Sequence, residues 1–359
     1  VAAAPGAAQP LRLGEITVDA SIRLTLAEAE SLAFEALRAN RTSELGARAT
    51  ARALVAAEAD GQAAHGLSRV PAYALQARSG KVNGQAIPAL TRTAPGVVRV
   101  DAGLGFAYPA IDLALETLKS IAKDQGIALG AIHHSHHFGQ VGAHAERLAE
   151  AGLIALVFGN TPKAMAFHGG KRAMLGTNPL AFAAPLPGAR APLVIDLALS
   201  VAARGKIVAA QKAGKSIPEG WAVDANGQST TDPTAALAGT LSPIGGAKGG
   251  ALALMVEILG AALTAGAFGW EASSFFDAEG RPPDMGHLFV AIDPGPASGN
   301  AFADRMNTLI AAIESEPEVR LPGSRRLNAR AKAEREGITL SNALHEEIRA
   351  LHQSFSGRA

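Results

Sequence analysis

The chain has 359 residues, 48% of them hydrophobic and only 4% aromatic, with a formal net charge of +1. That length suits about two domains and a sizeable core built mainly from Ala, Val, Leu and Ile. The balanced charge leaves no electrostatic footprint for nucleic acid or an acidic membrane surface, and zero cysteines exclude disulfides and thiolate metal sites.

Residues 1–12 are Ala/Pro/Gly-rich and lack the basic start and apolar stretch of a signal peptide, so a disordered leader is expected there. Thr25-Leu26-Ala27-Glu28 is a capping-box start, followed by an apolar face of Leu32, Phe34 and Leu37. A second helix follows Thr42-Ser43 and runs to about Ala59, where Asp60-Gly61 breaks it. In Ala64-His65-Gly66-Leu67-Ser68-Arg69, a glycine and a Ser68 cap place His65 just ahead of a helix running to Ser79. Such junctions face clefts while the helices beside them stay rigid. Val97 to Asp101 reads as a strand and Tyr108 to Lys123 as a helix.

From Gly126 the texture changes. Ile127–Ile132, Leu153–Phe158, Leu180–Ala184 and Leu193–Leu197 are short apolar runs between Gly/Pro/Asn turns, the pattern of strands. Asp232 to Leu241 is polar and turn-rich. The apolar Ala247–Gly269 run carries Lys248 and Glu257 and reads as a buried soluble helix, not a membrane span. Leu288–Asp293 is a strand, Phe302–Glu314 a helix, Pro317–Pro322 extended, and Ser341–Ser354 a C-terminal helix. The predicted class is α+β. A mostly antiparallel sheet domain over 127–296 is inserted into a helical domain made of 13–126 and 297–359. A soluble, cytoplasmic protein is expected.

No Gly-x-Gly-x-x-Gly follows a strand and opens a helix, and Gly214-Lys215-Ser216 has Ala209 where a P-loop needs glycine, so both standard nucleotide folds are excluded. His133, His134, His136 and His137 invite a metal. Neighbouring strand residues point to opposite faces, however, and no carboxylate sits within five residues, so no metal is expected. His65 with Asp60, Gly61, Gly66 and Arg69 places an acid/base group beside a carboxylate-binding fork. Gly245-Gly246-Ala247-Lys248-Gly249 at a helix start offers backbone N–H groups and an ammonium to a phosphate, or is a turn needed for tight packing. Arg325-Arg326 is either a solvated pair or a second phosphate clamp.

Seven motifs then occur in order: Ala64-His65-Gly66, His137-Phe138-Gly139, Gly176-Thr177-Asn178-Pro179, Val194-Ile195-Asp196-Leu197, Pro218-Glu219-Gly220-Trp221-Ala222, Gly245 to Gly249, and Leu321-Pro322-Gly323. Together they resemble the malate/L-lactate dehydrogenase family of NAD(P)-dependent reductases, which lack a Rossmann fold. Asp196 to Ser200, Ala203 to Lys206 and Ala272 to Asp277 are most similar to its Δ1-piperideine-2-carboxylate/Δ1-pyrroline-2-carboxylate reductases.

The resemblance implies that His65 is the proton donor, Arg69 the substrate-carboxylate ligand, and that Thr177 faces the substrate. It further implies a cofactor wall of His137, Phe138, Gly139, Gln140, Val141, Asp196, Leu197, Ala198, Gly205, Lys206, Ala247, Lys248, Arg325 and Arg326. NADPH is the implied cofactor, with NADH possible, the partner a small imino or keto acid, and the assembly a homodimer. Two positions depart from the family pattern. Ala64 stands where Ser is usual, and no acid lies near Lys212 to Gly214; Asp60 or a water is expected to substitute. The leading expectation is reduction of a cyclic imine by NADPH. The alternatives are a malate/lactate-type 2-hydroxy acid dehydrogenase, a noncatalytic cofactor- or anion-binding relative, and a histidine-cluster metal hydrolase.

Overall fold

The structure, a computed structural model, describes residues 21–356; the expected leader over 1–12 lies outside them. Strand β1 (Ser21–Leu24) leads into α1 (Leu26–Ala39), whose Thr25 cap is reciprocal. Thr25 Oγ1 accepts from Glu28 N at 3.2 Å, and Glu28 Oε2 accepts from Thr25 N at 2.8 Å. Helix α2 (Glu44–Ala59) is capped by Ser43, whose Oγ accepts from Gly46 N at 3.1 Å. Two single 3₁₀ turns, Ala63–His65 and Leu67–Arg69, then lead into α3 (Val70–Ser79). Ser68 caps nothing: its hydroxyl donates to Ala63 O at 2.6 Å, locking the first turn to the second.

A hairpin of β2 (Ala89–Ala94) and β3 (Val97–Asp101) precedes α4 (Ala107–Gln125), β4 (Ile127–Ser135), α5 (Val141–Ala149) and β5 (Ile154–Gly159). After β6 (Met165–Ala166) and β7 (Ala173–Leu175) come β8 (Leu180–Ala184) and β9 (Leu193–Leu197). Then follow α6 (Arg204–Lys212), β10 (Ala222–Val223), α7 (Pro233–Ala238), β11 (Thr240–Leu241), α8 (Ala247–Glu257) and β12 (Met285–Ile292). The chain closes with α9 (Pro294–Ser298), α10 (Phe302–Glu314), α11 (Ser324–Glu336), β13 (Ile338–Ser341) and α12 (Asn342–Ser356).

Seven strands form the main sheet in the order β2-β3-β4-β12-β5-β8-β9, and only β3–β4 is parallel. Both faces are covered, which is why its central strands read as continuous apolar runs. Along β12, Phe289 and Ala291 pack under α4 and α5 with Leu115, Leu118 and Leu148. Their neighbours Leu288 and Val290 turn to the other face, with Phe158, Leu175 and Val256. Two of these strands and α4 come from ahead of residue 127. A boundary there therefore cuts a continuous sheet, because the β2–β3 hairpin pairs with β4 and α4 covers them.

The two chain ends share a separate core. Leu37, Leu54, Leu67 and Tyr73 pack with Ile338, Leu340, Ile348 and Leu351, and β1 pairs β13 from Ser21↔Ser341 to Leu24↔Ile338. Asn40 Nδ2 ties α1 to α12 by donating to Leu351 O at 3.1 Å. The predicted extended run over Pro317–Pro322 is broken by turns at 317–318 and 322–323, and α11 follows it. The Ala247–Gly269 run is not buried throughout: past α8 it widens into a π-turn over Ile258–Ala262, and its outer side chains stay exposed. Among the described residues, no helix is long and apolar enough to cross a membrane.

Candidate active site

Helix α3 carries the centre of the site. Arg69, Tyr73 and Gln76 follow a helical repeat along one face, so they meet the end of β4 together. Tyr73 Oη and His137 Nδ1 share a hydrogen bond of 2.5 Å, and His136 Nε2 donates to Gln76 Oε1 at 2.7 Å. The His65 ring stacks on His137, with centroids 5.4 Å apart and planes 15° from parallel. Burial, then the charge of Arg69, push His65 down to about 4, so it is neutral at neutral pH. Burial pushes His136 down to about 3 and holds His137 well below the ordinary imidazole value. Burial raises the Tyr73 phenol to about 12, which keeps it protonated at neutral pH.

Arg69 is aimed by the backbone. Its Nε donates to Ala64 O at 2.7 Å, and its guanidinium lies 4.7 Å from the centre of the Phe276 ring. Arg69 Nη1 and His65 Nδ1 are both buried with no partner, two polar atoms aimed at nothing in the protein. A substrate carboxylate and heteroatom would satisfy them. The loop bearing Phe275 and Phe276 is strapped to α3. Gln76 Nε2 donates to Phe275 O at 2.8 Å, while buried Lys81 Nζ donates to Ser274 O and Asp277 Oδ1, each at 2.8 Å.

Behind His65, Glu58 Oε2 accepts from Leu67 N at 2.9 Å, although burial raises its pKa. A side chain on Gly66 would meet that oxygen at 2.1 Å. Gly66→Ala is therefore expected to break the Glu58–Leu67 bond and cost about 1.5–3 kcal/mol, the usual value of a hydrogen bond to a charged group. Urea unfolding that gives wild-type stability would contradict this.

Asp60 does not serve His65. Its carboxylate accepts from Gln140 Nε2 at 2.9 Å, Arg326 Nη1 at 3.1 Å and Arg330 Nε at 2.7 Å. Arg326 also forks onto Glu146, with both contacts at 2.7 Å, so its charge is spent inside the protein and it is no phosphate clamp. Burial alone would raise Asp60 and Glu146, but the two arginines hold both below the ordinary carboxylate range.

The expected cofactor wall divides. His137, Phe138, Gln140 and Val141 turn their side chains into the protein. Phe138 stacks on His287 with centroids 4.1 Å apart, so that segment offers a ligand backbone at most. Gly139 holds φ +69, and a Cβ there would meet Tyr108 Oη at 2.7 Å.

The second group is open to solvent: Asp196, Leu197, Ala198, Gly205, Lys206, Ala247, Lys248 and Arg325. Asp196 Oδ2 accepts from Gly142 N at 2.7 Å at the start of α5. Lys206 Nζ lies 5.9 Å from the Trp221 ring centre. Val201 N donates to Ser242 O and Ile244 N to Leu199 O, both at 2.9 Å, which sets the start of α8 beside the 198–205 loop. Exposed lysines at a helix start, open glycine backbone and the exposed apolar Leu197 and Val201 fit a dinucleotide with its phosphates.

Thr177 is fixed by its own contacts. Its N donates to Thr161 Oγ1 at 2.9 Å, and its O accepts from Leu199 N at 2.8 Å. Buried Asn178 anchors this loop by donating 2.8 Å to Glu257 Oε2. Glu257 also takes Gly269 N at 2.7 Å and Asn160 Nδ2 at 3.1 Å. The strand-flanking Gly-Thr-Asn-Pro motif is thus built around Asn178, with Thr177 presented by it.

This geometry has known relatives. The model of the malate/L-lactate dehydrogenase family matches residues 24–349. The chain belongs to the malate/L-lactate dehydrogenase family. It is an oxidoreductase. This family member is 50% identical to a (2R)-3-sulfolactate dehydrogenase (NADP(+)) of Chromohalobacter salexigens, covering 91% of this chain and 97% of that one. It is 42% identical to a Δ1-pyrroline-2-carboxylate/Δ1-piperideine-2-carboxylate reductase of Pseudomonas putida, covering 92% and 96%. The crystal structure of Δ1-piperideine-2-carboxylate reductase from Pseudomonas syringae pv. tomato superposes with a TM-score of 0.87 at 37% identity, covering 92% and 99%.

Sequence reasoning missed Glu58, Tyr73, Gln76, Lys81 and the Phe275–Phe276 pair as parts of the site. For Tyr73 and Gln76 a signal existed, since they repeat the helical spacing from Arg69. Lys81 reaches a loop almost two hundred positions away, and no local pattern marks such a contact.

Proposed function

We propose that this chain reduces the C=N bond of a cyclic imino acid, Δ1-piperideine-2-carboxylate or Δ1-pyrroline-2-carboxylate, with NADPH, in the cytoplasm. The observation that carries this reading is a neutral His65 beside Arg69, each with a buried, unpartnered nitrogen. Arg69 takes the substrate carboxylate through its free Nη1, under the Phe276 ring, and so fixes which face of the ring is attacked. NADPH, once bound, would supply the hydride that the C=N carbon accepts. Lys206, Lys248 and Arg325 hold its phosphates, and Thr177 lines the substrate side.

A cyclic imine can enter already protonated, as an iminium, and a neutral His65 then has no proton to give before hydride arrives. It accepts the iminium N–H and orients it. A carboxylate on Arg69 also offsets the smaller of the two effects that depress His65, while burial, the larger, remains. His65→Ala, which removes the acceptor that orients the iminium, should lower kcat about 100-fold, the cost of a small misplacement of the reacting group. Arg69→Lys should mainly raise KM, because an ammonium lacks the two-pronged geometry.

The high identity to the sulfolactate dehydrogenase favours a second reading, oxidation of a 2-hydroxy acid with NADP(+). In that direction a neutral His65 is already a base. The deciding assay follows nicotinamide absorbance with Δ1-piperideine-2-carboxylate plus NADPH or NADH, beside (2R)-3-sulfolactate plus NADP(+). Turnover of the imine with NADPH supports the first reading. Turnover of the hydroxy acid alone replaces it with the second, and silence on both leaves a noncatalytic relative.

A homodimer belongs to the same reading. Leu252, Leu254, Met255, Ile258 and Leu263 are 39–54% exposed along α8 and its π-turn, a contiguous apolar surface suited to a second copy. Leu254→Asp should convert the dimer to monomer in sedimentation velocity. A wild-type chain that already sediments as a monomer would remove this assignment.

A further inference from the structure

The histidine pair that precedes the active-site strand end is built into a separate cluster. Strands β3 and β4 run parallel with Asp101 in register with His133. The carboxylate missing from the local sequence is thus supplied by the neighbouring strand. His133 Nδ1 bonds Val100 O at 3.0 Å, which makes Nδ1 the donor and leaves Nε2 bare, 3.9 Å from Asp101 Oδ2. His134 holds a left-handed φ of +50, so it does not point away from His133 as a regular strand residue would. Its Nδ1 lies 3.0 Å from Asp101 Oδ1, and the two imidazole centroids are 4.5 Å apart. One donor atom from each of the three residues lies within 4.8 Å of the other two.

We propose that Asp101, His133 and His134 bind one divalent transition-metal ion, with Zn²⁺ the best match. Two imidazole nitrogens and one carboxylate oxygen form a donor set for Zn²⁺, with a fourth position left to water. The His133–Val100 bond is the outer contact that orients a ligating imidazole, and Asp101 Oδ1 is steadied by Gly103 N at 2.8 Å. Asp101 and His134 side chains are 42% and 43% exposed, which gives the ion an entry path. A left-handed non-glycine residue costs energy, and an ion held by its side chain offsets that cost. The ion takes no part in hydride transfer; it clamps the end of β4 just before Ser135 to Phe138 enter the active-site core.

The test is calorimetric titration of the untagged, chelator-treated full chain with ZnCl₂, repeated with NiCl₂. One equivalent of Zn²⁺ is expected per chain. Asp101→Asn and His134→Asn, the second chosen because Asn accepts a left-handed backbone, should each weaken it by more than the roughly 10–100-fold that losing an outer-shell partner costs. Exposed His168→Gln should bind as the parent does. Circular dichroism confirms that each variant is folded before titration. A parent chain that takes up no Zn²⁺ at micromolar concentration, or folded Asp101→Asn and His134→Asn chains that bind unchanged, would overturn the proposal.

Discussion

Lowering the pH from about 7.5 to about 5.5 is expected to cost the folded protein roughly 5 kcal/mol of stability. His136, His137, His144 and His287 are buried and neutral, and burial is the main cause of the depressed pKa in each. In the unfolded chain they return to about 6.5 and take up protons that the folded state refuses. Stability tied to them is therefore complete above 6.5 and is lost as pH falls through that value. Each group loses about 1.4 kcal/mol per pH unit below it. The geometry leaves no relief, because His136 Nδ1 and His287 Nδ1 are buried without acceptors for an added proton.

Two carboxylates oppose the loss. Burial raises Glu58 and Glu257 above their ordinary values, so protonation as pH falls restores part of the stability. Urea unfolding followed at several pH values measures the slope. A stability that stays flat down to about pH 5.5 would show that these rings reach solvent or gain partners in the folded state.

Arg326→Ala is expected to destabilise the fold by about 3–5 kcal/mol. Asp60 and Glu146 are buried, and without Arg326 only Arg330 is left to balance two carboxylates. Arg330 is raised well above its ordinary value by the bond from Asp60, a sign that it already carries its share. Removing Glu146 together with Arg326 should recover much of the loss, since one cation and one anion then remain. A single-variant loss under about 1 kcal/mol would mean that water reaches the pair and screens it.

What the sequence made legible follows from where the signals live. Leu180–Ala184, Leu193–Leu197 and Phe302–Glu314 were readable because apolar side chains mark them and turns bound them. Strand β2 was not, since it is an exposed edge of Ala, Leu, Thr and Arg. Helix α11 was missed for a related reason: SRRLNARAKAERE buries only Arg326 and Ala333, so it has no apolar period to detect. The Asp60 expectation failed because sequence distance said it was near His65, whereas its partners Gln140, Arg326 and Arg330 stand 80, 266 and 270 positions away. The argument against paired histidines assumed a regular strand at His134, and its positive φ removes that assumption.

The shared core of the two chain ends has a consequence for how this protein is made. Helices α1 and α2 emerge from the ribosome well before Ile338, Leu340, Ile348 and Leu351, which close their apolar faces. The β2–β3 and β8–β9 hairpins can form early, but the sheet closes only when β12 arrives to pair with β4 and β5, so the first helices wait for partners throughout. Synthesis at about 5–20 residues per second leaves those Ala- and Leu-rich faces uncovered for many seconds. The newborn α1–α2 segment thus exposes apolar surface of the kind that drives aggregation before folding is complete.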